Sequence, residues 1–214
     1  MNVSWSTSAA VSASGRRLRT PPKTHRAAKV MLSLAASSLA WAASVSARPQ
    51  AIDIRKSVMT VHVGKAGLFS AFGHDHDIAA PISAGSADTA HVELHIQSRA
   101  LRVRDSRASE KERDEIQKTM LGPEVLDVER HPEIVFRSTA VEPAGPDSWR
   151  VRGTLTLHGR TRPVTVQVTE RAGHYVGNSV LKQTDFGIKP IRIAGGTVRV
   201  KDEIRIHFDI QLAR

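Results

Sequence analysis

The sequence predicts an all-β chain: an extended antiparallel sheet of about eight strands that closes into a barrel, with one short helix outside the series. Three observations predict it. Apolar and polar residues alternate with period two through most of the chain after Gln50, one segment breaks that rhythm with helical spacing, and turn residues separate the alternating runs. Successive side chains of a strand point to opposite faces, so this alternation marks a sheet with one apolar and one wet face.

The elements follow in order. Ile52 and Ile54, then Met59, Val61 and Val63, form a less regular opening strand whose change of phase near Lys56 reads as a bulge. Val92, Leu94 and Ile96 form another strand. Ser109 to Leu121 reads S-E-K-E-R-D-E-I-Q-K-T-M-L, with Ser109 and Glu112 spaced as a capping box, and predicts a helix. Its large apolar residues, Ile116, Met120 and Leu121, gather at the C-terminal end, which suits resting over a sheet or closing the end of a barrel. Ile134 and Phe136 follow Pro132 as a strand, then Trp149, Val151, Gly153, Leu155 and Leu157, and then Val164, Val166 and Val168. The clearest run is the last, where Ile204, Ile206, Phe208, Ile210 and Leu212 alternate with Arg205, His207, Asp209 and Gln211. Turns are signalled at Pro143 to Pro146, His158-Gly159, Ala172-Gly173, Asp185 to Pro190 and Gly195-Gly196.

The chain has 214 residues, 31 Lys and Arg against 21 Asp and Glu, and no cysteine. The excess of bases sits at the start. Residues 1–47 carry Arg16, Arg17, Arg19, Lys23, Arg26 and Lys29 with no acid, and the basic segment is followed by the uncharged run Val30 to Ala47, ending in Val45-Ser46-Ala47. That is the layout of a signal peptide, with cleavage expected after Ala47 and a domain at 48–214 exported to the periplasm. With the leader set aside the charge is nearly balanced, so no nucleic-acid partner is expected. The absent cysteines exclude disulfides, thiolate nucleophiles and cysteine-ligated metals.

Eight strands close around an interior that side chains either fill or leave open for one small ligand. The inward face is aliphatic, so a bound molecule would be apolar.

Three segments carry a resemblance. His131-Pro132-Glu133-Ile134-Val135-Phe136-Arg137-Ser138-Thr139, Gly153-Thr154-Leu155-Thr156-Leu157-His158-Gly159-Arg160-Thr161-Arg162-Pro163-Val164 and Gln183-Thr184-Asp185-Phe186-Gly187-Ile188 resemble, in this order, segments of the YceI family of exported, lipocalin-like, polyisoprenoid-binding proteins. The similarity runs from about Ile52 to Leu212. It implies an extended eight-stranded lipocalin-like barrel in the periplasm, with an isoprenoid or other long-chain lipid in its lumen; the missing catalytic motifs add the expectation of no cofactor and no catalysis. Phe136 and Phe186 within these segments, and Phe72 beside the departure described next, are the expected ligand contacts.

The departure is Phe72-Gly73-His74-Asp75-His76-Asp77, richer in imidazole than the usual turn of the family. His74 and His76 are spaced to share one face of a strand, and an alternative reading makes them metal ligands or the base of a histidine-dependent enzyme. A third ligand would have to come from His62, His91, His95 or His207, with Asp75 and Asp77 orienting the rings. The plainer reading is a polar turn. The sequence holds no G-x-S-x-G, H-E-x-x-H or phosphate-binding glycine loop, and the Asp185-Phe186-Gly187 triplet lacks the other parts of a kinase. Arg99, Arg102, Arg104 and Arg107 form a basic stretch that reads as a solvated face or as a headgroup contact at a barrel mouth.

Overall fold

A computed structural model describes residues 48–66, 75–193 and 198–213. The predicted signal peptide at 1–47 and the predicted site residues Phe72 and His74 lie outside them.

Strands β1 (Gln50–Ala51), β2 (Val58–Ala66), β3 (His76–Ala79), β4 (Ala84–Ala87), β5 (Val92–Gln97) and β6 (Arg102–Val103) precede helix α1 (Glu110–Leu121). After it come β7 (Glu133–Gly145), β8 (Ser148–Leu157), β9 (Arg160–Arg171), β10 (His174–Lys182), β11 (Arg192–Ile193) and β12 (Val198–Gln211). Every pairing is antiparallel, in the order β1-β4-β5-β7-β8-β9-β10-β12-β2-β3-β6, with β11 beside the start of β12.

The two ends of that order are not free edges. Ile52, just after β1, bridges Leu212, just after β12, so β1 lies between β4 and the end of β12. The Asp53 N–H donates to the Gln211 carbonyl and the Ala213 N–H to the Ala51 carbonyl across the same seam. β6 continues the line of β5 after the short helical turn Ser98–Ala100. The link between β3 and β4 also stays in the wall, its Ala80 N–H reaching Met59 and its Ser83 N–H reaching His95. The segments therefore join into eight staves, β1–β2, β3–β4, β5–β6, β7, β8, β9, β10 and β12, each paired with the one before and the one after. This is the predicted barrel, with three of its staves interrupted.

One interruption corrects the opening strand. Residues 53–56 form a turn and not a bulge, because Asp53 organises them: its carbonyl accepts from Lys56 and Ser57 N–H, and its carboxylate from Arg55 N–H. Ile54, read as a strand residue, is 47% exposed on that turn. The turn read at Pro143 to Pro146 is displaced, since Pro143 to Gly145 continue β7 and the chain reverses at Pro146–Asp147, and Gly195-Gly196 lies outside the described residues. His158-Gly159 and Ala172-Gly173 both have positive φ at each residue, the backbone of a two-residue hairpin whose twist matches its strands.

The barrel ends differ. At one end the described connections are tight turns, Asp88–His91, Pro146–Asp147 and Ala172–Gly173. At the other lie α1 and residues 122–132, together with the helical turn Gln183–Phe186. The helix begins at the predicted capping box, Ser109 and Glu112 each accepting the other's backbone N–H. It is fastened by Gln117, whose amide accepts from the Val103 N–H and donates to the Leu101 carbonyl, both at 2.9 Å, as a neighbouring strand would. Met120, Leu126 and Val128 are buried from this side against a core that includes Leu157, Leu181, Phe186 and Ile188. The helix closes one end.

Candidate functional site: the barrel lumen

Apart from Ile54, the apolar strand phases read from sequence point inward. Val61, Leu94, Leu155, Val166, Ile206 and Phe208 line one interior, yet each remains half-exposed, whereas Met120, Phe186 and Ile188 at the helix end are buried. Inward residues remain accessible only if they face a space. That space is a cavity of about 1020 Å³ with an overwhelmingly aliphatic wall, enough for on the order of thirty water-sized groups at about 30 Å³ each. The outward face of the same strands is polar: Arg205 and His207 on β12 are exposed, and so are Arg150 and Arg152 on β8.

Two glycines keep the wall open. A methyl group built on Gly153 would stand 2.7 Å from the Phe136 ring, and one on Gly177 would stand 2.5 Å from the ring of Phe208. Both glycines sit at inward positions, opposite or diagonal to the phenylalanine across the strand pair. Each ring therefore lies in a notch of the neighbouring strand.

The three expected ligand contacts fall in different places. Phe136 is in the cavity wall. Phe186 is only 1% exposed and lies in the closed end, outside the lining, where its carbonyl accepts from the His158 ring at 3.2 Å. Phe72 is outside the described residues.

The histidine motif is divided by the strand period. His76 turns into the lumen, where its Nδ1 lies 2.9 Å from an oxygen of Asp105, a residue 2% exposed. Its inner-face neighbours in register are Val63, Ile78 and Val103. Asp75 and Asp77 instead meet His62 on the outer face, at 3.3 and 2.7 Å. The Lys65 N–H and then the His62 ring hold the Asp75 carboxyl below the usual range. Of the other candidate ligands, His91 stands on the rim turn beside Asp88, His207 faces outward on β12, and His95 faces outward between Glu93 and Glu133. Among the described residues, no three His, Asp or Glu side chains converge as a metal site would require.

The arginine stretch lies at the helix end, away from the mouth. Arg99 pairs with Glu129, Arg102 donates to the carbonyls of Arg99 and Leu101, and Arg107 to that of Asp75. The features that sequence reasoning missed are Asp105 as the partner of His76 and the notches under the two rings. Gly153 in an inward phase was the available signal for the second.

Comparison with known proteins agrees with this geometry. The model of the YceI-like domain matches residues 50–212, most of the chain and all of its described strands. The chain belongs to the YceI-like family. Among curated relatives, a UPF0312 protein of Pseudomonas putida (strain W619) is 41% identical over 83 residues, which are 34% of this chain and 43% of that protein. A UPF0312 protein of Azotobacter vinelandii is 28% identical over 139 residues, 60% of this chain and 67% of that one. The chain thus spans less than half the length of the first of these relatives. The crystal structure of Burkholderia cenocepacia BcnA aligns with a TM-score of 0.54 at 19% identity, covering 76% of this chain and 99% of its own, which supports the fold. This YceI-like barrel suits binding of a small ligand in its lumen.

Proposed function

We propose that this YceI-like protein is a non-catalytic carrier of a long apolar amphiphile, a polyisoprenoid or similar lipid, held in the lumen, and that it works in the periplasm after removal of residues 1–47. One observation carries the reading: the inward aliphatic face is half-exposed to a cavity of about 1020 Å³ closed at one end by a helix. Such a space favours a chain over a compact polar metabolite, because it offers area and few hydrogen-bonding groups. About twenty buried methylenes contribute roughly 16 kcal/mol, which leaves micromolar or tighter binding after several kcal/mol of lost translational and chain freedom. Area of this kind discriminates chain length weakly, so a range of tails is expected.

Gentle purification from a bacterial host, solvent extraction and mass spectrometry test the proposal. A long-chain lipid in near-stoichiometric amount is expected, with an N-terminus at Arg48 in the periplasmic fraction. Delipidated protein that takes up neither long-chain isoprenoids nor fatty acids in calorimetry would end the carrier reading. A full-length product held in the inner membrane would end the export reading.

A further inference from the structure

The polar groups in the lumen wall are committed at one end and partly uncommitted at the other. At the closed end the Gln183 amide donates to the Lys201 carbonyl at 2.8 Å, the Ser179 hydroxyl to the Thr165 carbonyl at 3.4 Å, and His76 meets Asp105. At the mouth the Asp88 carboxylate accepts the N–H groups of Ala90 and His91 at 2.6 and 2.7 Å, with its side chain 3% exposed. Those donors hold its charge inside its own turn.

Arg48 is different. It lines the cavity at the mouth, is exposed, and has no carboxylate partner among the described residues. Thr89 and Tyr175 add two hydroxyls to the same rim, and the Tyr175 ring stands 6.1 Å from that of Trp149. A guanidinium at the edge of an apolar cavity recognises an anion through charge-assisted hydrogen bonds, and presents a planar fork suited to carboxylate or phosphate. Cleavage after Ala47 would add the new α-ammonium beside it.

We propose that the mouth is a head-group site for an anionic lipid terminus, a carboxylate or a phosphate ester, held by Arg48 with Thr89 and Tyr175 beside it, the single tail running toward Met120 and Leu126. The inference rests on the lumen reading above and adds the sign of the head group and the orientation of the chain.

The test uses the full chain, expressed with its own first 47 residues and delipidated. Palmitate is compared with hexadecanol, and geranylgeranyl phosphate with geranylgeraniol, by calorimetry at low and high salt. The anionic member of at least one pair should bind about tenfold more tightly at low salt, as expected for a charge-assisted contact at an exposed rim, and lose most of that advantage at high salt. The pair that shows the preference identifies the head group. Arg48→Gln should bring the members of that pair to within about twofold while leaving the neutral member's affinity unchanged. Equal binding of both members by the parent protein overturns the head-group site and leaves the lumen reading standing. A preference that survives Arg48→Gln overturns the assignment to Arg48. Failure of all four compounds to bind overturns the lumen reading itself.

Discussion

The ring of Phe136 lies across Gly153 of the neighbouring strand, so close that a methyl group on the glycine would meet it at 2.7 Å. Phe208 lies on Gly177 in the same way. A large inward ring on a barrel strand either crosses the lumen or folds against the wall, and a glycine opposite it decides which. The paired glycine also lets the strands approach closely, since the same methyl groups would stand 2.4 Å from the Arg137 carbonyl and 2.2 Å from that of Gln167.

Gly153→Val is therefore expected to push the Phe136 ring into the cavity and strain the β7–β8 pairing, with a stability loss of about 1–3 kcal/mol. Lipid capacity should fall as the bore narrows. Phe136→Leu, which leaves the backbone alone, should instead raise capacity for bulkier tails at a cost of about 1 kcal/mol. Urea unfolding paired with titration of tails of graded width checks both. Unchanged width selectivity in Phe136→Leu would show that the ring does not set the bore.

The two faces of β12 should differ sharply in tolerance. Ile204 is buried against Val63 and Leu181, so Ile204→Asp places an unpaired charge among aliphatic side chains and is expected to cost more than about 3 kcal/mol. Arg205, one residue on, is exposed and 3.5 Å from Glu203, so Arg205→Asp should stay within about 1 kcal/mol of the parent. Thermal melts of the two variants settle it, and equal tolerance would contradict a single inward-facing core.

These residues also show what was legible from sequence. The β12 alternation could be read because every second residue faces the lumen and every other faces water, so period and burial coincide. Ile52 and Ile54 misled because they share that spacing, while the local hydrogen bonds of Asp53 turn the chain between them. His74 to Asp77 looked like one unit because its residues are adjacent, yet the strand sends His76 inward and leaves Asp75 and Asp77 to His62. Asp105 lies 29 residues from His76, and only the register of β3 and β6 brings it opposite. Whether the barrel is filled or hollow left no trace, since Val, Ile and Leu line either. The notch at Gly153 depends on knowing which phenylalanine lies across from it.

The outer face carries a pH-dependent network. His95 lies 2.9 Å from Glu133 and 2.8 Å from Glu93, and Arg137 reaches the same Glu93 oxygen at 2.8 Å. Glu133 and then Glu93 raise the His95 pKa above its ordinary 6.5. The His95 ring and then Arg137 lower that of Glu93 below its ordinary 4.5. A raised histidine stabilises fully below 6.5 and ceases to do so as pH rises through its folded value; a lowered glutamate stabilises fully above 4.5 and ceases as pH falls through its own. The network is thus complete between these two ordinary values. The melting temperature of the parent should exceed that of His95→Gln most near pH 5.5, with the gap narrowing toward pH 8. A gap that widens with rising pH would reverse the sign assigned to His95.

The last prediction concerns the closed end. Gln117 is the contact through which α1 completes the hydrogen bonding of the β6 edge, taking the Val103 N–H and supplying a donor to the Leu101 carbonyl. Val103 is buried, so removing the amide leaves its N–H unpaired in an apolar setting, while the Leu101 carbonyl keeps the Arg102 guanidinium as a donor. Gln117→Ala should cost about 2 kcal/mol, more than an exposed helix substitution, in which alanine would be neutral or favourable. Because Ile116 and Met120 on the same helix help line the lumen, loosening it should also speed lipid release. Gln117→Glu separates the two bonds, since a carboxylate can still accept from Val103 but cannot donate to Leu101. Amide exchange at Val103 should therefore rise strongly in Gln117→Ala and less in Gln117→Glu, with lipid off-rates following the same order. Faster exchange at Val103 without faster release would mean that the helix secures the sheet edge but does not close the lumen.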